Sequence, residues 1–180
     1  MRAVTLLLGC LATCISSFSL ANGQTQLGDV KQAIDQAFWQ ALYGNGGTTL
    51  YCGQTFARES GTLTASPIYS SKQLKSAMRC VTDRQCTIMN PRYPYIVADL
   101  HNYYPALTRV ELARRNAQFA ELADDVPSKF ADIGCDLKTS FQLVEPRGEA
   151  KGNIARAIFY MHIEYGLSLI HISEPTRLRR

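Results

Sequence analysis

The chain has 180 residues, of which 46% are hydrophobic and 19% charged, and its formal net charge is +4. This composition excludes an intrinsically disordered chain, a collagen-like repeat and a coiled coil, because the apolar content is ordinary and no short period is present. A chain of this length can bury a hydrophobic core, so we expect one compact domain.

Residues 1–21 are predicted to be a secretory signal peptide. Arg2 supplies the positive start, residues 4–12 form an apolar run, and Ser19-Leu20-Ala21 is a small-x-small cleavage site. The apolar run is too short to span a bilayer. A lipoprotein box ending at Cys10 is the alternative, but it would leave a very short signal. We therefore expect export, to the periplasm or the medium, without stable membrane association.

The first half of the remaining chain mixes helical and strand patterns. A helix is predicted over residues 28–43, where Asp29 is the candidate N-cap and apolar residues recur at helical spacing. β-Branched and aromatic residues predict a strand over residues 48–56. Residues 68–78 fit either a strand or a helix, and residues 80–94 are predicted to be a cysteine-bearing loop.

The second half continues this mixture. A short strand is predicted over residues 95–100, a helix over 108–123 and a strand over 135–144. The last helix is predicted over residues 153–165, and its core face is expected to comprise Ile154, Ile158, Phe159 and Ile163. No repeat or linker divides these elements. The prediction is a single mixed α+β domain over residues 22–166.

The C-terminal end differs in character from the domain. Residues 167–177, Leu-Ser-Leu-Ile-His-Ile-Ser-Glu-Pro-Thr-Arg, resemble the translation of a transposase-type sequencing-library adapter. On this hypothesis residues 167–180 are a non-native tail and the domain is incomplete at its C-terminus. The alternative is a genuine basic tail.

The positive charge is concentrated at the two ends. Four basic residues (Arg2, Arg177, Arg179 and Arg180) and one acidic residue (Glu174) lie there, which leaves residues 22–166 with a net charge of +1. Net charge therefore carries no argument for nucleic-acid binding.

Four cysteines lie within the predicted domain: Cys52, Cys80, Cys86 and Cys135. An even number of cysteines in an exported protein predicts disulfides, here two, with three possible connectivities. Cys80 and Cys86 could close a short loop, which would leave Cys52 with Cys135. A zinc site is the competing interpretation, but the spacing does not match a zinc finger.

Four blocks of sequence resemble one known family. They are Tyr51-Cys52-Gly53, the loop from Cys80 to Cys86, Ala98-Asp99-Leu100-His101-Asn102-Tyr103-Tyr104-Pro105, and Gly152-Asn153-Ile154-Ala155-Arg156-Ala157-Ile158-Phe159-Tyr160-Met161. Their order resembles the bacterial endonuclease I family, exported nucleases of the His-Me finger (ββα-metal) class. The resemblance implies a ββα-metal core within the α+β domain, stapled by disulfides.

The resemblance also implies a mechanism. In this class a histidine deprotonates the attacking water, while one hard divalent cation, Mg²⁺ or another such as Ca²⁺, steadies the phosphate. A glutamate beside that histidine and an asparagine on the finger helix hold the ion, and a loop arginine stabilises the developing charge. The implied substrates are DNA and RNA, cut with little sequence preference, and the implied state is a monomer.

The chain departs from this pattern at the catalytic pair. The family's Glu-His pair should fall where Ser66 and Pro67 stand. No realignment recovers the base, because His101 is the first histidine in the chain and no glutamate lies between Glu59 and Glu111. Since proline offers no proton acceptor, we expect little or no nuclease activity from this chain.

Three other positions correspond to functional places in the family. Arg84 lies near the loop arginine and is a candidate catalytic residue; the alternative is a solvent-exposed arginine. Glu111 takes the place of the finger-helix asparagine and is the candidate metal ligand; the alternative is a solvated carboxylate paired with a neighbouring arginine. His101 is the candidate substitute base, whereas the competing interpretation is a buried structural histidine within the sheet.

Arg109, Arg114 and Arg115 are predicted to form a basic helix face that contacts phosphates. An ordinary solvated surface is the alternative. Three functional hypotheses therefore stay open: a divalent-metal-dependent endonuclease, a non-catalytic descendant that binds nucleic acid, and a truncated gene product without function.

Overall fold

The N-terminal helix α1 begins at the predicted cap. In the computed structural model, which describes residues 23–168, α1 runs over Val30–Gln32 and continues as a π-helical stretch over Ala33–Leu42. The Asp29 carboxylate accepts from the backbone N–H of Lys31 at 2.8 Å and of Gln32 at 3.1 Å, which confirms the N-cap. The predictions for residues 1–21 and, apart from Leu167 and Ser168, for residues 167–180 lie outside the described residues.

The strand predicted over residues 48–56 is wrong. Two short antiparallel strands, β1 (Gly47–Thr48) and β2 (Thr55–Phe56), flank a turn instead. The turn closes because Gly53 has a φ of +69° and its N–H donates to the Thr49 carbonyl at 2.9 Å. The apolar residues Leu50 and Tyr51 lie in the core from this turn rather than from a strand.

Two antiparallel strands that lie far apart in the sequence pair next. Strand β3 (Leu63–Pro67) pairs antiparallel with β4 (Tyr103–Leu107), and helix α5 (Thr108–Arg114) follows β4 directly. In this register Ser66 lies opposite Tyr104 and Pro67 opposite Tyr103. Neither strand was predicted, because the pairing joins segments far apart in sequence and no local pattern reports it.

The segment between β3 and β4 is helical. Helix α2 (Ser71–Ala77) begins at a capping box in which the Ser70 hydroxyl and the Gln73 side chain each accept from the other residue's backbone N–H. This cap resolves the ambiguity over residues 68–78 toward a helix. Helix α3 (Asp83–Met89) occupies the predicted loop.

The strand predicted over residues 95–100 is also wrong. Pro94 lies in the first turn of helix α4 (Tyr93–Val97), a position where its missing N–H costs nothing. A single 3₁₀ turn, Leu100–Asn102, then leads into β4.

A four-stranded sheet forms the other half of the structure. Its strands are β5 (Gln118–Phe119), β6 (Ser128–Phe130), β7 (Cys135–Ser140) and β8 (Leu143–Pro146), in the spatial order β5-β8-β7-β6. Strand β5 runs parallel to β8 and the other pairs are antiparallel. A 3₁₀ turn, Ala131–Ile133, joins β6 to β7.

Two predicted elements end early, at non-glycine residues with a positive φ. The helix predicted over 108–123 ends at Arg114, because Arg115 has a φ of +45°. The single strand predicted over 135–144 is a hairpin that turns at Phe141, whose φ is +52°. Non-glycine residues adopt this conformation rarely, so composition did not mark either break.

The last helix, α6 (Gly148–Tyr165), packs on the core through Ala150, Ile154, Ala157 and Met161. The predicted core face is half right: Ile154 is buried, Ile158 is partly buried, and Phe159 and Ile163 are exposed. The helix ends at Gly166, which adopts the left-handed conformation of a C-terminal cap.

One hydrophobic core unites these elements. Its fully buried apolar members include Tyr51, Ile68, Leu74, Val110, Leu137 and Met161. Disulfides join Cys52 to Cys135 and Cys80 to Cys86. The predicted single α+β domain with two disulfides is thereby confirmed. Among residues 23–168, no helix is both long enough and apolar enough to cross a membrane.

Candidate functional site at the β3–β4–α5 unit

The β3–β4–α5 unit brings Ser66 of β3 against Glu111 of α5. The Ser66 hydroxyl donates a hydrogen bond to Glu111 Oε2 and lies 3.4 Å from the hydroxyl of Tyr51. Ser66 and Tyr51 are completely buried, whereas the Glu111 side chain is 18% exposed. The carboxylate is therefore held from the core side and reachable from solvent on the other.

Burial dominates the electrostatics of Glu111. It raises the pKa of the carboxyl, because a charged oxygen loses hydration there. Two contacts oppose that shift: the Arg114 guanidinium, with Nη1 3.6 Å from Oε1, and the Ser66 hydrogen bond. Burial likewise raises the pKa of the Tyr51 phenol. Ser66, Tyr51, Glu111 and Arg114 thus form one buried polar cluster.

Arg114 does not lie on an exposed basic face as predicted. Its side chain is fully buried, its Nη1 and Nη2 donate to the carbonyls of Pro67 and Ile68, and its guanidinium stacks over the Phe119 ring at 5.0 Å. Its Nε lacks a hydrogen-bond partner within residues 23–168. The reason is geometric: α5 packs its inner face on β3, and position 114 falls on that face.

The other two arginines of the predicted face are exposed. Arg109 pairs with Asp132 at 3.1 Å and lies over the Phe130 ring at 5.3 Å. Arg115 donates from Nε to the Leu112 carbonyl at 2.9 Å. A phosphate would compete with an exposed ion pair at Arg109 and with one backbone bond at Arg115.

Pro67 follows Ser66 at the end of β3. Its side chain has no proton acceptor, and its carbonyl is occupied by Arg114. The position where the family resemblance places the general base therefore lies beside the buried cluster and contains no base.

His101 is exposed and lies outside the sheet, so the interpretation as a buried sheet histidine is wrong. It belongs to the 3₁₀ turn before β4 and its side chain is 64% exposed. Its Nδ1 lies 2.8 Å from Asp99 Oδ1, and its ring stacks on Tyr160 at 4.0 Å between centroids. The imidazole is therefore held in one orientation, and its Nε2 has no hydrogen-bond partner within residues 23–168.

Asp99 organises this second polar cluster and was missed as a site residue. It is 1% exposed and also accepts from the His101 N–H and from the hydroxyls of Tyr160 and Tyr165. Both tyrosine hydroxyls have a raised pKa, chiefly because of burial. The Asp-x-His spacing, typical of a turn in which the aspartate caps its own backbone, is the signal that would have pointed to it.

Arg84 is exposed on α3, within the loop closed by Cys80 and Cys86. Within residues 23–168 it has no hydrogen bond or ion pair to Ser66 or Glu111. Its catalytic role stays a prediction, as does that of His101.

The residues at the β3–β4–α5 unit do not fit a tight site for a hard cation. Mg²⁺ and Ca²⁺ prefer several oxygen ligands with carboxylates among them. Here Glu111 offers one carboxylate, whose oxygens already meet the Ser66 hydroxyl and the Arg114 guanidinium. Among the described residues no group of three or more His, Cys, Asp or Glu side chains could hold a metal ion.

Comparison with known proteins decides the family. The family model described as Endonuclease I matches residues 24–177. The chain belongs to the endonuclease I family. Endonuclease-1 of Buchnera aphidicola subsp. Acyrthosiphon pisum (strain APS) is 34% identical over 94 residues, which are 51% of this chain and 33% of that protein.

Two proteins of Aeromonas hydrophila match a shorter segment. An extracellular deoxyribonuclease is 35% identical over 74 residues, 39% of this chain and 31% of its own length. A periplasmic deoxyribonuclease is 34% identical over 74 residues, 39% of this chain and 30% of its own length. The endonuclease I chain described here thus aligns with about a third of the length of these curated relatives.

Proposed function

We propose that this chain is an exported, DNA-directed member of the endonuclease I family whose β3–β4–α5 unit is the ββα finger of that class. Two antiparallel strands followed directly by a helix have the order that the class requires. The names of the relatives, extracellular and periplasmic deoxyribonucleases, support DNA as the substrate and export as the destination. RNA as a second substrate is part of the same proposal.

The reaction of the lineage is hydrolysis of phosphodiester bonds with a divalent cation. Mg²⁺ or Ca²⁺, when bound, neutralises negative charge on the phosphate. In this chain Glu111, with Ser66 beside it, would hold that ion, and the poor fit of this pair implies weak binding. Arg84 is the residue proposed to stabilise the phosphate.

The observation that carries the proposal is the contact between Ser66 and Glu111, with Pro67 next to it. Two positions from different elements, which the family resemblance assigns to metal ligands, lie in hydrogen-bond contact. This contact supports the finger assignment, in which the position of the base is occupied by Pro67. A general base contributes about 10²–10⁴-fold to such reactions. We therefore expect the cleavage rate of this chain to be at least about 10²-fold lower than that of a relative with an intact base.

Plasmid nicking by the purified, oxidised chain in Mg²⁺ tests this expectation. Little or no cleavage is expected, and efficient cleavage that EDTA abolishes would overturn it. Ser66→Glu together with Pro67→His should raise the rate, whereas Ser66→Glu alone, which restores a ligand without a base, should not. If the double variant folds and stays inactive, the finger assignment is wrong.

Binding of nucleic acid without cleavage is the second candidate function. The exposed guanidinium of Arg115 and the displaceable ion pair of Arg109 favour it. Affinity for duplex DNA should fall with salt, with a log–log slope of about −0.9 per phosphate contacted. The double variant Arg109→Gln/Arg115→Gln should make that slope less steep by about 1.8, which corresponds to two lost phosphate contacts. An unchanged slope would exclude this helix face as the DNA-binding surface.

A further inference from the structure

Helix α3 and the turn that precedes it expose large apolar side chains that none of the roles above uses. The exposed fractions are 79% for Val81, 73% for Ile88 and 57% for Met89. Single exposed apolar residues are ordinary, but three within nine residues of sequence form a local apolar surface.

The local geometry directs this surface outward. Ile88 is exposed on the last turn of α3, and Val81, which lies two residues before Asp83, is exposed beside the start of the helix. On the opposite side Cys86 is fully buried and bonded to Cys80. The Val81 N–H donates to Gln85 Oε1 at 2.9 Å, which holds Val81 over the first turn of α3.

The same region is strongly basic. We define the α2–α3 lobe as residues 71–92; its cations are Lys72, Lys75, Arg79, Arg84 and Arg92. Asp83 is the acidic residue of this lobe, and its charge is already met by Lys75 at 3.3 Å and by the Tyr93 hydroxyl at 2.6 Å. These contacts hold the pKa of the Asp83 carboxyl below its usual value.

Three of the lobe's cations are available to a partner. Lys72, Arg79 and Arg84 are exposed and have no ion pair within residues 23–168. The lobe thus offers positive charge and apolar surface together, on a segment fixed by a disulfide, so little conformational entropy is lost when it docks.

We propose that the α2–α3 lobe docks reversibly on an anionic lipid surface. Ile88 and Met89 enter the boundary between headgroups and acyl chains, and the free cations contact the lipid phosphates. A nucleic-acid backbone would satisfy the cations but would leave the apolar side chains in water. This inference shares Arg84 with the proposed nuclease site but uses neither Ser66 nor Glu111, and the variants that test it leave Arg84 unchanged.

Co-sedimentation with lipid vesicles tests the proposal. The oxidised chain should bind vesicles of mixed phosphatidylcholine and phosphatidylglycerol and should bind pure phosphatidylcholine much more weakly. The double variant Ile88→Ser/Met89→Ser should lower partitioning into the anionic vesicles about tenfold or more, because two apolar side chains no longer leave water. Lys72→Gln/Arg79→Gln should also lower it, by about thirtyfold, because each basic residue near the surface contributes about 1 kcal/mol.

The matched control lies on α6, where Phe159 and Ile163 are comparably exposed at 56% and 71%. Phe159→Ser/Ile163→Ser should leave partitioning unchanged, and circular dichroism checks that every variant folds. Absence of binding to anionic vesicles overturns the proposal, as does an equal loss in the α6 control. If the lobe variants weaken duplex DNA binding while vesicle binding is unaffected, the surface belongs to nucleic acid and the lipid assignment is wrong.

Discussion

Arg114 supports the interior of the β3–β4–α5 unit, and its removal should destabilise the fold strongly. The perturbation is Arg114→Met, which keeps an unbranched side chain and removes the charge and every donor. Three acceptors lose a partner: the carbonyls of Pro67 and Ile68 and the carboxylate of Glu111. Breaking a buried charge pair by removing one member costs about 3–5 kcal/mol.

The cost should depend on pH because Glu111 titrates. Burial raises the folded-state pKa of Glu111 above its usual 4.5. The folded state therefore favours the protonated carboxyl of Glu111. The resulting stabilisation is complete below the unfolded-state pKa and is lost as pH rises through the folded-state pKa. Arg114 offsets that loss at neutral pH. Arg114→Met should consequently cost more at neutral pH than below the unfolded-state pKa of Glu111.

Urea unfolding at the two pH values measures both effects. At neutral pH we expect a loss of about 3–5 kcal/mol, equivalent to a fall in Tm of about 10 °C for a domain of this size. In a Glu111→Gln background the pH dependence of the loss should disappear, since no carboxyl titrates.

Arg115→Met is the matched control, because Arg115 is exposed and its side chain, within residues 23–168, bonds only the nearby Leu112 carbonyl. It should change stability by about 0.5 kcal/mol or less. If Arg114→Met costs no more than this control, or costs the same at both pH values, the buried charge pair does not stabilise the β3–β4–α5 unit.

The remaining predictions concern stability elsewhere. Replacing the Cys52–Cys135 disulfide, which joins residues 83 positions apart, by two serines should cost about 4.5 kcal/mol of stability. The same replacement of the Cys80–Cys86 disulfide, with a separation of 6, should cost about 2 kcal/mol, because a shorter loop restricts the unfolded chain less. Equal shifts in the urea midpoint would contradict this explanation. Ser70→Ala removes the acceptor of the α2 capping box and should cost about 1 kcal/mol in the same assay; an unchanged midpoint would mean that the cap contributes nothing.

Local sequence patterns predicted the structure correctly where it is set by residues close in the sequence. Asp29 caps α1 as its position predicts, and the last helix forms with Ile154 in the core. The capping box at Ser70 and Gln73 is also visible in the sequence and marks the start of α2, although residues 68–78 fit either a strand or a helix by composition. Caps succeed because they satisfy backbone donors within a few residues.

Long-range pairing was beyond these signals. Strand β3 is a strand because β4 lies beside it, about forty residues later in the chain, and its own composition does not predict it. The breaks at Arg115 and Phe141 have the same origin, since tertiary packing holds a non-glycine residue at positive φ. Neither effect leaves a local pattern that spacing rules detect.

The sequence by itself determined that Pro67 stands where the family resemblance places a base, and that no histidine precedes His101. It also indicated the family, because the four motif blocks and their order along the chain are visible without a structure. Only the tertiary structure decided that Arg114 is buried while His101 is exposed. Residue type limits what a side chain can do, but packing against distant elements sets which side chains meet water.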